Sequence, residues 1–242
     1  MNLTQETKLK DVILQNPAAA PILEKAGMDY CCGGKQTVGE ACLKAGMPAE
    51  VLLERLREAK GQISPEAKDW TTATMGELAR HIVNKHHSYV REAIPRISDH
   101  LAKVAQKHGE NHPETQRIQE LFEVLANELM QHMQKEEMIV FPYVEQMSAA
   151  AESGTKLHPP FFGTVQNPVA MMMKEHDSAG ELIGQIKELS GGFAAPADAC
   201  TTFTLVYSEL AEFDHDLRLH IHLENNILFP RAVEMEGQIT GH

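Results

Sequence analysis

The chain has 242 residues, 43% of them apolar and 5% aromatic, with a formal net charge of −12. That length can bury a sizeable core in one or two domains. The acidic balance, with no basic stripe, excludes a nucleic-acid backbone as partner, and no apolar run approaches the roughly 18 residues of a membrane-spanning helix.

The N-terminus has no basic stretch followed by an apolar one, so a cytoplasmic location is expected. Residues 1–62 predict a small helical domain broken by turn signals at Asn16-Pro17, Gly33-Gly34 and Gly46-Met47-Pro48. Within it Asp29-Tyr30-Cys31-Cys32-Gly33-Gly34-Lys35 places adjacent thiols at a glycine-rich turn, where backbone N–H groups and Lys35 are positioned to lower a thiol pKa. Cys31 and Cys32 are therefore redox or metal-handing candidates, although on pattern alone local packing of two small side chains explains them somewhat better. With four cysteines in all, the chain is no disulfide scaffold. Residues 63–73 are polar and contain Pro65, as expected of a linker to a second domain at 74–242.

From Thr74 onward the pattern is helical. Val83, His87, Val90, Ile94, Ile97, Leu101 and Val104 fall at four- and three-residue steps on one stripe, with His87 inside it, and Pro95 predicts a kink. After a loop at 107–113, a second helix is expected over 114–140, with His132 and Glu136 inward and a stop near Phe141-Pro142. A long connection at 147–167 suits second and third helices that need not be neighbours. The third helix carries Met172, His176, Ala179, Ile183 and Ile186 and ends at Ser190-Gly191-Gly192; the fourth runs over 197–228 to Phe229-Pro230.

These helices contain a duplication. His132-x-x-x-Glu136-x-x-Ile139-x-Phe141-Pro142 returns 88 residues later as His220-x-x-x-Glu224-x-x-Ile227-x-Phe229-Pro230, and the stretch around Lys85-x-His87 returns at Lys174-x-His176. The copied unit is a helical hairpin. At four-residue spacing a His and a Glu share one helix face, so both reach a single ion in a bundle core. A lone His on an apolar face is more often a hydrogen-bonded core residue than a ligand, but four His and two Glu recurring in register point to metal. Six donors are too many for one closed tetrahedral zinc. If Glu136 and Glu224 bridge, each of two ions receives two imidazoles and two carboxylate oxygens, leaving room for an oxo or hydroxo bridge and an exogenous molecule. Imidazole with carboxylate suits iron, while zinc and manganese stay open.

Register separates these candidates from their neighbours. His86 adjoins His87, but only His87 aligns with His176; Glu137 adjoins Glu136, but its counterpart is Asn225. His215 and His222 point away from His220 and read as solvated or second-face polar residues. Glu128 and Asp216, each one turn before a ligand His, and Glu175, beside His176, are candidates to orient imidazoles or relay protons. A solvated helix face explains any one of them about as well.

With DYCCGGKQT at 29–37, KEEMIVFP at 135–142, KEHDSAGEL at 174–182 and LENNILFP at 223–230, the chain resembles, over nearly its whole length, the repair-of-iron-centres family of di-iron proteins. The resemblance implies an all-α fold: a CCGG-containing helical module followed by a hemerythrin-like antiparallel four-helix bundle of two duplicated hairpins. It implies two iron ions held by His87, His132, Glu136, His176, His220 and Glu224. The function it implies is repair of iron–sulfur clusters damaged by nitric oxide or oxidants, by iron donation, with damaged iron–sulfur proteins as partners. The alternatives are reduction of nitric oxide at the same centre, which leaves the enzyme question open, and hemerythrin-like binding or sensing of NO or O2. It also implies that Glu128 and Glu175 line the approach to the metals and that the thiols serve delivery or electron supply. The sequence allows a homodimer without requiring one.

Overall fold

The computed structural model describes residues 3–59, 69–158 and 160–240. Positions 63–68 of the expected linker and Pro159 of the expected connection lie outside the described residues. Among the described residues the chain is helical, with an isolated antiparallel bridge at Lys8 and Thr37 and no strand. None of these helices is long and apolar enough to cross a membrane.

The N-terminal segment folds into α1 (Leu9–Gln15), a 3₁₀ turn (Pro17–Ala19), α2 (Ala20–Lys25), α3 (Val38–Ala45) and α4 (Ala49–Glu58). Thr37 starts α3 with a capping box: its hydroxyl accepts from the Glu40 N–H while the Glu40 carboxylate accepts from the Thr37 N–H. Gly34 sits where a Cβ would lie 2.4 Å from the Tyr30 carbonyl oxygen, so no side chain fits there.

A second capping box, Thr74 with Glu77, opens the bundle. Its first long helix consists of α5 (Met75–His81), a π turn (Ile82–His87) and α6 (Ser88–His108), and runs through Pro95. The second consists of α7 (Glu114–Lys135), a π turn (Glu136–Val140) and α8 (Phe141–Ser153). The third is α9 (Gln166–Leu189), and the fourth joins α10 (Thr201–Leu223), a π turn (Glu224–Leu228) and α11 (Phe229–Thr240).

Two expectations are corrected here. The second and fourth helices do not stop at Phe-Pro. The N–H of Phe141 bonds to the carbonyl of Glu136, and that of Phe229 to Glu224, five residues back in each case. A proline within a regular helix would crowd the carbonyl four residues earlier. The widened turn gives Pro142 and Pro230 room at the start of the next α-helical stretch, so the chain continues to Ser153 and Thr240. The second and third helices, which the sequence left free to be neighbours or not, are neighbours, since α7 packs directly on both α6 and α9. The connection is shorter than expected and is pinned by Glu236 of α11, whose carboxylate accepts from the Val165 N–H, Thr164 hydroxyl and Tyr143 hydroxyl.

The bundle interior is layered. One apolar cluster holds Val90, Ile97, Phe122, Leu129, Ile183, Phe213 and Ile221 and is continuous with Leu9, Leu23 and Tyr30 of the N-terminal segment. The other holds Leu78, Ile82, Phe141, Val144, Met172 and Phe229. His87, Glu136, His176 and Glu224 fall, on every long helix, between residues of the first cluster and residues of the second.

Candidate metal centre

The six candidate ligands meet in this middle layer, none more than 2% exposed, so bulk water is excluded. Their donor atoms form two groups, each drawing one His from each hairpin: His87 with His220, and His132 with His176, both together with Glu136 and Glu224. Glu136 presents Oε2 to His87 Nε2 and Oε1 to His132 Nε2, each at 3.3 Å. Glu224 presents Oε1 to His220 Nε2 and Oε2 to His176 Nε2, each at 3.1 Å. Each carboxylate thus offers one oxygen to each imidazole pair. Within the pairs, Nε2 atoms face one another at 3.2 Å and 3.0 Å.

The other ring nitrogens point outward. His87 Nδ1 donates to Glu137 at 2.6 Å, a carboxylate that Arg91 also holds at 2.6 Å. His132 Nδ1 donates to Glu175 at 2.9 Å, which Lys135 also grips, and His176 Nδ1 donates to the Asn225 side-chain carbonyl at 2.9 Å. With the proton on Nδ1, each of these imidazoles turns a bare lone pair inward. Facing lone pairs and two carboxylates, three of whose oxygens are buried without a hydrogen-bond partner, would repel in a dry core. Cations resolve that conflict, and two sets of N2O2 donors fit two of them.

The titration behaviour of the residues expresses the same strain. Burial disfavours charge on His132, yet the charges and hydrogen bonds of Glu136, with Glu224 and Glu175, push it up to about 9. Burial likewise opposes, but Glu136 and its neighbours raise, the pKa of His87. Glu224 is held well below the usual carboxylate range despite burial, chiefly by His220 and His176, and Glu136 is lowered by His132 and His87 against burial and the Glu224 charge. His220 goes down, with burial the leading cause.

Glu175 touches ligand His132, whereas Glu128 is exposed and accepts a hydrogen bond from Ser178 at 3.0 Å. Asp216 does not reach a ligand; its Oδ1 holds His86 Nδ1 at 2.9 Å. Glu137 and Asn225, set aside because their identities differ between the copies, make the same contact to equivalent imidazoles. Position plus the capacity to accept was the usable signal. His215 and His222 lie on the second face, away from the ligands: partly exposed His215 donates to Glu24 at 3.0 Å, and buried His222 lies edge-on to Tyr30 and bonds Asn226.

The thiol loop docks beside this centre. The Asn226 amide donates to the carbonyls of Cys31 at 3.1 Å and Tyr30 at 3.4 Å, and Asn225 approaches Cys32 Sγ at 4.0 Å. Asp29 takes the backbone N–H groups of Cys31, Cys32 and Gly33. Those donors are therefore spent on a carboxylate, and the expected lowering of thiol pKa is reversed at Cys31. Its hydrogen bond with Cys32, burial and the Asp29 charge push it well above the ordinary thiol value. Asp29, Cys31 and Cys32 bring three donor atoms together, separately from the His and Glu groups.

Residues 78–232 match the family model of the hemerythrin HHE cation binding domain, and residues 5–60 match that of a domain of unknown function, DUF542. Curated relatives span the chain. The iron-sulfur cluster repair protein YtfE of Enterobacter sp. (strain 638) is 35% identical over 232 residues, covering 96% of this chain and 99% of its own length. The YtfE proteins of Citrobacter koseri and Escherichia coli O17:K52:H18 are each 34% identical over 232 residues, with the same coverage. The His and Glu groups are compatible with the non-haem di-iron site of a hemerythrin domain.

Proposed function

The chain belongs to the hemerythrin HHE cation-binding family, in the branch of iron–sulfur cluster repair proteins, and from that membership we propose that it repairs damaged iron–sulfur clusters by giving up iron held between its two hairpins. The observation that carries the proposal is the sharing of Glu136 and Glu224, each with one oxygen toward either imidazole pair. In this reading Glu136 and Glu224, with His87 and His220 on one side and His132 and His176 on the other, would hold two iron ions. When bound, the iron is both the transferable cargo and the only redox-active element of the layer.

What the protein contributes is a preformed, dry site with few donors per ion. Two imidazoles and two shared oxygens would leave an ion that prefers six ligands unsaturated, which would favour exchange over permanent storage. Glu137, Glu175 and Asn225 fix the rings so that Nε2 faces inward. We read Glu175 as a positioning residue for His132, and Glu128 as outside the chemistry because it contacts no ligand. Domain limits of 1–62, 63–73 and 74–242 remain our division of the chain. The clients in this reading are damaged iron–sulfur proteins of the cytoplasm, with NO and O2 as ligands of the cation pair.

Iron-loaded and metal-free protein, each incubated anaerobically with a nitric-oxide-damaged iron–sulfur dehydratase, test the proposal. Recovery of dehydratase activity with the loaded form alone, matched by iron lost from the repair protein, is the expected outcome. Equal recovery with metal-free protein would rule it out.

A further inference from the structure

The duplication is symmetric in its ligands but not in what stands behind them. His87, His132 and His176 each give Nδ1–H an acceptor, from Glu137, Glu175 and Asn225 respectively. Buried His220 Nδ1 has no partner among the described residues. Register shows why. The residue before His176 is Glu175, which serves His132; the residue before His87, in the same place of the other copy, is His86. His86 does not serve His220. It stacks on that ring, centroids 5.6 Å apart and planes 11° from parallel, and turns its own Nδ1 to Asp216 at 2.9 Å. Asp216, one turn before His220, is engaged with His86 and leaves Oδ2 buried without a hydrogen bond.

This difference acts on cation binding. Coordination through Nε2 requires the neutral ring to carry its proton on Nδ1. For His87, His132 and His176 that proton meets an acceptor already in place. For His220 it meets none, and the alternative tautomer, with Nε2–H donating to Glu224 Oε1 at 3.1 Å, must be given up. Outer acceptors of this kind typically change metal affinity about 10- to 100-fold.

We propose that the two cation positions are unequal, the His87–His220 position being the weaker because His220 lacks an acceptor for Nδ1–H. Resting on the iron-donating function above, that position supplies the iron that leaves first. The ion between His132 and His176, backed by Glu175 and Asn225, is the retained one.

Calorimetric titration of the metal-free protein with Co(II), with visible absorption recorded in parallel, tests this without any repair assay. A failed repair function would leave the binding constants untouched, and the reverse also holds. Two steps separated by about 10-fold or more are expected. Glu137→Ala, which removes the acceptor of His87, should weaken only the second step, and Glu175→Ala, at His132, only the first, each about 10- to 100-fold. His86→Glu combined with Asp216→Asn restores a carboxylate in the place Glu175 holds in the other copy and should tighten the second step about 10-fold or more. Two equal constants, a single bound ion, or Glu137→Ala acting on the tighter step would overturn the proposal. So would a folded His86→Glu/Asp216→Asn protein with its second step unchanged; if that variant does not fold, the two alanine variants decide.

Discussion

Glu136→Gln should stabilise the metal-free protein and destabilise the metal-loaded protein, each relative to the native chain. Both Glu136 oxygens are buried without a hydrogen bond, 3.3 Å from His87 Nε2 and His132 Nε2. In metal-free protein above the pH of about 9 at which His132 gives up its second proton, the glutamine keeps the shape, removes one of two neighbouring buried charges and offers an N–H to a bare lone pair. Relief of a buried charge of this kind is worth about 1–4 kcal/mol, and about 2 kcal/mol raises the Tm of a domain this size by about 4–8 °C. Loading acts oppositely. Each cation at a hundredfold excess over its Kd adds about 2.7 kcal/mol, so two sites give the native chain about 5 kcal/mol, or roughly 10–20 °C, and an amide that bridges poorly should forfeit most of it. Thermal melts by circular dichroism, with chelator and then with excess Co(II) or Fe(II), read both arms. A metal-free Glu136→Gln protein that melts below the native one, or a loaded variant that keeps the whole native shift, would refute the account of this layer.

The docking of the N-terminal segment should depend on pH through His215 and Glu24. The hydrogen bond with Glu24 raises the pKa of His215 against burial, so its contribution is full below the unfolded value of 6.5 and fades as pH climbs through the raised one. Glu24 is lowered by His215 and Tyr30 despite burial, so its contribution holds above 4.5 and is lost only as pH falls through the depressed value. Protection factors of the amides across residues 20–34, taken relative to base-catalysed exchange of the unfolded chain, should therefore fall as pH rises from 6.5 through the raised value of His215, and His215→Ala should abolish that fall; native protection factors flat in pH would contradict it. Asn226→Ala removes the donor to the Cys31 and Tyr30 carbonyls, a loss of about 1–3 kcal/mol. Cys31, normally slow toward thiol reagents because it is buried with a raised pKa, should react faster, and unchanged labelling would count against the contact. Glu236→Ala strips acceptors from Val165, Thr164 and Tyr143 and should cost about 2–4 kcal/mol in urea unfolding, whereas a neutral effect would show that the connection is held otherwise.

What the sequence made legible follows from periodicity and repetition. The His and Glu spacing, copied between hairpins, pointed to the six side chains that converge and to more donors than one closed tetrahedral zinc takes. It did not show that each imidazole pair would join the two hairpins, because facing partners across a bundle are set by packing and not by any one helix. The π turns were hidden for a different reason. The buried stripe Glu136, Val140, Val144 and Met147 runs on at helical steps through Phe141-Pro142, so only proline chemistry suggested a stop, and a widened turn lifts that restriction. Glu137 and Asn225 were missed because aligned positions were compared by identity, whereas a hydrogen-bond acceptor is all that His87 and His176 require.

A protein that gives up its metal must survive losing it. Small zinc domains unfold without their ion because coordination is their only core. Here the donor layer lies between two apolar clusters, one including Phe122, Phe213 and Ile183 and the other Leu78, Phe141 and Phe229, each drawing on all four long helices. Removing cations leaves repulsion in one layer and the hydrophobic contacts above and below it intact. Without cations this layer would be strained while the chain stays folded, with three rings held by outer acceptors so that Nε2 faces inward. In the proposed function that strain would favour reloading, while the small number of donors per ion and the unsupported His220 would favour release, so the same architecture would let iron pass in both directions without unfolding.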